Sequence, residues 1–203
     1  LMEALGRGLM EAAPQRYTYR LLFIPGTIGA ITWLARNPDA AARVRHGLVI
    51  TGVGDAGPLT YKRSRRGDAP VDRAAAHVLH HAAAAAAGAA HRVIDFSPYG
   101  YDERQYCSPG FDLAVGRLSR SPHGEFPEYH TSADDLDFVR PEALAGSLAV
   151  VRAIIDVLER DRRTRNLSPF GEPQLGRRGL YRAIGGTLDA KAAEMALLWV
   201  LNM

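Results

Sequence analysis

Gly47-Leu48-Val49-Ile50-Thr51-Gly52-Val53, followed at once by Gly54-Asp55-Ala56-Gly57-Pro58, is the stretch that decides the fold. Its first part is apolar and β-prone and reads as a buried strand. The Gly- and Pro-rich run after it ends the strand in a loop. An acidic residue where a buried strand gives way to a Gly-rich loop stands where α/β sheets place their sites. Asp55 is therefore the first candidate functional residue.

Working outward, residues 17–24 (YTYRLLFI) read as a second buried strand meeting a turn at Pro25-Gly26. Residues 29–36 carry Ile31, Trp33 and Leu34 and read as a short helix closed by Asn37-Pro38. Residues 40–44 form one more helical turn, and 1–13 an amphipathic helix with Leu1, Leu5 and Leu9 four apart. Downstream, 59–61 is a short extended piece, 71–90 an Ala-rich helix, 92–96 a strand and 113–118 a further strand. Between those last two lies a polar loop, 97–110, with Tyr99, Asp102, Glu103, Arg104 and Tyr106. Polar loops on a rigid sheet are where chemistry sits. Pro141 opens a helix as its first residue, and 142–160 repeats an apolar face through Leu144, Leu148, Val151, Ile155 and Leu158. This order predicts an α/β fold with a mixed, mostly parallel central sheet flanked by helices. Residues 166–186 are rich in Gly, Pro and Arg and read as a linker, after which 187–203 begins a new helical element. The domain expectation is thus 1–165, linker, and 187–203.

The chain of 203 residues is 47% hydrophobic and 23% charged, which excludes general disorder. No apolar run approaches the ~20 residues of a membrane span. A single cysteine, Cys107, rules out an internal disulfide and fits a reducing, cytoplasmic setting. The net charge of +3 owes much to KRSRR at 62–66 and RDRRTR at 160–165. Such runs read as solvated faces or carboxylate partners, so nucleic acid is not the expected partner. His77 and His81 sit one turn apart, but no glutamate stands between them as a metalloprotease helix requires, and an amphipathic surface helix is the simpler reading. The opening helix has no start signal before Leu1 and the last none to end it, so both ends read as cuts in a longer chain, the first truncating the α/β domain.

Three groups carry candidate chemistry: Asp55; Asp102-Glu103-Arg104; and Glu128-Tyr129-His130-Thr131 ahead of the last sheet-covering helix. A carboxylate and an imidazole from separate strand ends can share a zinc ion, with Asp134 or Asp135 orienting the imidazole. Each group has a plainer reading: Asp55 as a turn residue, Asp102 and Glu103 as loop hydrogen bonders or Arg partners, His130 as a satisfied loop histidine.

The stretches YRLLFIPGTIGAI, HGLVITGVGDAGPLTYKRSRRGD, DFSPYGYDERQYCSPGFDL and PEYHTSADDLDFV resemble a bacterial family of aminopeptidase-like proteins with an appended winged-helix domain. That family is similar to the co-catalytic zinc aminopeptidases, among which glutaminyl cyclases also fall. The resemblance implies a three-layer aminopeptidase-like sandwich, and a first winged-helix segment at 187–203. It implies that His130 and Asp55 are zinc ligands, with Thr131 and Asp135 behind them. It implies that Asp102, Arg104 and Tyr106 lie near the substrate, a peptide or small amide. Two departures stand out. The family's first ligands, a histidine and a bridging aspartate, would precede Leu1. Its Glu-Glu pair is here replaced at Pro25-Gly26-Thr27, which leaves Glu103 as the nearest candidate general base. The expected activity is metal-assisted hydrolysis of an N-terminal peptide bond. The competing expectation is a binding module that kept the fold and lost the base. A homo-oligomer is left open.

Overall fold

The computed structural model describes all residues except 86–89, 164, 168, 172–173, 181–189 and 202–203. They form two units, Leu1–Arg160 and Asp161–Met203.

The first unit runs α1 (Met2–Glu11), α2 (Ile28–Arg36), α3 (Pro38–Ala42), β1 (Gly47–Ile50), β2 (Leu59–Lys62), α4 (Pro70–Ala85), β3 (His91–Ile94), α5 (Glu103–Tyr106), β4 (Val115–Ser119) and α6 (Pro141–Arg160). The sheet order is β1-β4-β2-β3. β1 runs parallel to β4 and β2 parallel to β3, while β2 and β4 are antiparallel. The sheet is therefore mixed, with two of its three pairings parallel, as the sequence predicts.

Strand side chains alternate between faces, so the register assigns each residue a side. Tyr61 pairs with Leu118 and Val93, and Leu118 with Ile50. That face packs under α4 and α6, where Val71, Ala75, Leu79, Val151 and Ile154 are almost completely buried. Tyr61 lies across Gly116, where an added Cβ would overlap its ring, so glycine is needed mid-strand for close approach. Full burial of one such aliphatic side chain is worth about 1.5–3 kcal/mol. The opposite face is split. Val49 and Val115 meet a small apolar cluster from α2, α3 and α5. Thr60, Lys62, Arg117 and Ser119 follow on the same side, all buried and all polar.

Residues 17–24 form no strand, contrary to the sequence expectation. An apolar β-prone run becomes a strand only when a neighbour takes its backbone hydrogen bonds. Here the segment is tied by side-chain chemistry at its start. The Glu159 carboxylate on α6 accepts the N–H of Arg16 at 2.6 Å, that of Tyr17 at 3.2 Å and the Tyr19 hydroxyl at 2.5 Å. Phe23 is left 71% exposed. Burial opposes ionisation of Glu159, but the Tyr19 hydroxyl, the two N–H groups and the Arg16 charge outweigh it and hold the carboxyl below its usual range. A lowered acid pKa gives stability that is complete above the unfolded value of about 4.3 and is lost as pH falls through the lower folded value. Amide protection at Arg16 and Tyr17 is thus expected to hold at neutral pH and to fall away in acid. The same exchange measurement on Glu159→Gln is expected to show weak protection with no such acid transition.

Other departures are of extent. β1 stops at Ile50, short of Val53, where Gly52 takes φ +55° and turns the chain. α4 is described to Ala85, and the end expected for it falls partly outside the described residues. The 97–110 loop contains α5. In the second unit, the stretch expected to be a linker holds a 3-10 turn at Gly176–Arg178 with Leu175 buried, and α7 spans Ala190–Leu201. No helix among the described residues is long and apolar enough to cross a membrane.

Candidate active-site face

The loops leaving the parallel pair β1 and β4 are fastened together by Asp55. Its carboxylate accepts the Gly57 N–H at 2.7 Å, the Ser121 hydroxyl at 2.7 Å and the Ser121 N–H at 3.3 Å. Arg120, beside Ser121, donates to the Gly57 carbonyl at 2.8 Å and to Ser147 Oγ at 3.0 Å. Burial lowers the Arg120 pKa, against the pull of Asp55. Next to this junction is a pocket of about 490 Å³ lined by Asp55, Ser121, Glu128, Asp135, Asp137 and Arg140, among others.

His130 projects from the loop after β4, exposed, in the left-handed region at φ +58°. Its ring stacks on Tyr129 with centroids 3.9 Å apart. A non-glycine residue in that region is uncommon and marks a constrained turn. Thr131 and Asp135 build the turn itself: Thr131 donates to the Glu128 carbonyl, and Asp135 accepts the N–H groups of Asp137 and Phe138. Among the described residues neither hydrogen-bonds the His130 imidazole.

The second group gathers around α5 instead. Asp102 accepts the N–H of Thr27 at 2.5 Å, and Thr27 itself sits at φ +60° at the head of α2. The Pro25-Gly26-Thr27 turn is thereby held to the loop that precedes α5. Glu103 is completely buried. Its Oε1 lies 3.0 Å from Lys62 Nζ and 3.8 Å from Arg117, while its Oε2 has no hydrogen-bond partner. Lys62 also donates to the carbonyls of Ser97 and Tyr99, each at 2.7 Å. In this structure Glu103 is an internal ion-pair partner, not the open carboxylate that a general base acting on water needs. Arg104 is half-buried with Nε unpartnered. Tyr106 packs in the α2–α5 cluster, 6.3 Å from Trp33, and its hydroxyl is pushed up to about 12 by burial and the Asp102 charge. It belongs to the core rather than to a substrate surface.

Sequence reasoning missed the charged layer between these groups. Within KRSRR, Lys62 and Ser64 are buried, so the run is not a solvated face; its alternative reading as carboxylate partners holds for Lys62 with Glu103, Arg63 with Asp95 and Arg66 with Asp112. The signal was present in the alternation: Thr60 and Lys62 on one strand and Arg117 and Ser119 on another recur every second residue. Over this layer lie Tyr101, 5.5 Å from the Arg117 guanidinium, and His123, packed against Tyr101 at 4.7 Å, Tyr99 at 4.9 Å and Tyr129 at 5.9 Å. Burial, then the Arg117 charge, lowers the His123 pKa and keeps the ring neutral at pH 7.

Zinc needs three protein ligands in a catalytic site and four in a structural one. Among the described residues no group of three or more His, Cys, Asp or Glu side chains is placed to hold a metal ion. The Asp55 oxygen atoms already serve Ser121 and Gly57. The residues described here do not fit a zinc site by themselves.

The chain is 49% identical over 188 residues to a Clostridium acetobutylicum protein named for polysaccharide biosynthesis and an aminopeptidase-like domain, covering 93% of this chain and 42% of that one. A crystal structure from the same organism, described as a peptidase, matches with a TM-score of 0.84 and 43% identity over 100% of this chain and 43% of that one. The chain thus spans less than half the length of these relatives. The zinc aminopeptidase BSAP of Bacillus subtilis (TM-score 0.52, 15% identity, 68% of this chain, 34% of that one) shares the fold. So does the LapA aminopeptidase of Legionella pneumophila (0.51, 13%, 67% and 36%). The boundary between the two units coincides within a residue with the boundary between two family matches. Residues 1–161 match the domain of unknown function DUF4910 and 162–203 a winged helix-turn-helix. With its aminopeptidase-like α/β unit followed by a winged helix-turn-helix segment, this chain belongs to the DUF4910 family.

Proposed function

We propose that this chain is part of an aminopeptidase-like hydrolase acting on an N-terminal peptide bond or a related amide. The observation that carries the reading is the Asp55–Ser121 junction. It locks together the loops that leave two parallel strands beside an acidic pocket, on a fold shared with aminopeptidases. Open α/β sheets bind ligands outside the carboxyl ends of their parallel strands. In this reading Asp55 shapes the pocket wall and Arg140 offers a cation to a polarised substrate oxygen. The described residues do not make a zinc site by themselves, so in this reading any metal dependence is a property of the full-length protein. The lone cysteine is buried, consistent with a reducing cytoplasm.

A second reading is favoured by a separate observation. The Glu-Glu pair is replaced by Pro25-Gly26-Thr27 and Glu103 is enclosed by cations, which suits a relative that binds without hydrolysing. The two readings part in one experiment. Zinc content and hydrolysis of aminoacyl anilides are measured on the full-length protein and its His130→Ala variant. The hydrolase reading expects near-stoichiometric zinc and a loss of at least about 100-fold in rate in the variant, since removing even an outer partner of a metal site costs about 10–100-fold. A metal-free protein, or one inert across the anilide panel, would leave the binding reading.

A further inference from the structure

Arg117 presents an unresolved account. Its side chain is 3% exposed, and no described residue forms a hydrogen bond with it. Its single ionic contact, Glu103 Oε1 at 3.8 Å, is too long for a hydrogen bond, and that oxygen is engaged by Lys62 at 3.0 Å. A guanidinium carries five donors, and here its Nε–H is buried with no partner, which is costly. The charges do not balance either: Lys62 and Arg117 share one carboxylate, whereas Arg92 nearby has its own in Glu125 at 2.7 Å. Other polar groups face the same place. Ser119 Oγ, 1% exposed and two residues along β4 on the same face, has no partner; nor has Nδ1 of neutral His123. The cover consists of loop residues, Tyr99, Tyr101, His123 and Tyr129, whose rings offer apolar faces.

We propose that Arg117, with Ser119 and His123, is a recognition site for a carboxylate carried by the ligand, its hydrocarbon part lying against the tyrosine rings. A planar guanidinium fork with a neighbouring hydroxyl matches a carboxylate, and a second anion completes the charge balance of the layer. In the hydrolase reading, on which this part rests, the substrate class is peptides with an acidic N-terminal residue.

The test is direct binding of glutarate, measured by calorimetry on the full-length protein and its Arg117→Met variant, with glutaramide and inorganic phosphate as comparisons. Saturable binding of glutarate is expected, with none of neutral glutaramide and at least tenfold weaker glutarate binding in the variant. The ligand-free variant is expected to melt at the same temperature as wild type or higher, because it has lost an unpaired buried cation while Glu103 keeps Lys62. A structural arginine would do the opposite. Absence of glutarate binding, binding untouched by the substitution, a lowered melting temperature of Arg117→Met, or tighter binding of phosphate than of glutarate each overturns the proposal. Glutarate binding without peptide hydrolysis would sink the hydrolase reading alone.

Discussion

Replacing Glu103 with glutamine lowers the stability of the Leu1–Arg160 unit by about 3–5 kcal/mol, the range for removing one partner of a buried ion pair. Glutamine keeps the shape and leaves an oxygen to accept from Lys62, so lost packing contributes little. What changes is charge. Lys62 and Arg117 stand opposite each other across the β2–β4 pair, both almost completely buried, and Glu103 is the carboxylate between them. Without it two like charges remain in a poorly solvated layer. Urea unfolding, followed by the fluorescence of Trp33 beside Tyr106, reads the change as a shift in midpoint. The double variant Glu103→Gln with Arg117→Met is expected to recover part of the loss, since one buried cation then remains instead of two. An unchanged midpoint in the single variant would mean that the layer is open to water.

Asp72→Ala is expected to cost about 3 kcal/mol or more, because several buried donors lose one acceptor at once and each costs about 1–3 kcal/mol unpaired. The Asp72 carboxylate, on the first turn of α4, accepts the Tyr61 hydroxyl at 2.8 Å, Ser64 N–H at 2.7 Å, Ser64 hydroxyl at 2.6 Å and Ala69 N–H at 3.0 Å. It joins β2, the turn after it and the start of α4. Burial, then the Asp72 charge, drives the Tyr61 phenol well above its ordinary range, so the ring stays a neutral donor. Tyr61→Phe serves as the control: it removes one donor together with its bond and should cost only about 0.5–1.5 kcal/mol. The same urea measurement compares the two. Equal losses would show that the aspartate serves the tyrosine alone.

The candidate site was legible in part. Asp55 could be found from the strand-to-loop junction around it, and the structure makes it the tie between two loops. His130 could be singled out only by motif, because nothing in its local pattern distinguishes a ligand from a loop histidine. Lys62 was obscured by its neighbours: four basic residues in five look like a surface, yet period-two alternation sends Lys62 inward beside Thr60. Glu103 was read both as a candidate base and as an Arg partner, because the cations that enclose it and decide between the two come from strands 41 and 14 residues away.

By itself, the sequence determined the elements whose hydrogen bonds close locally or whose apolar period is long. α6 is expected from Pro141 onward and is observed as Pro141–Arg160, because helix bonds are made within the segment and its stripe repeats over five turns. Only the tertiary structure decided what depends on a distant partner. Residues 17–24 have strand composition yet pair with no described strand, and Glu159 on α6 takes the N–H groups of Arg16 and Tyr17 at their start instead. The antiparallel join of β2 to β4 was equally invisible in the sequence, since pairing direction is a property of two segments and of the chain between them. That join brings Lys62 opposite Arg117, and with them the charged layer on which the carboxylate proposal stands.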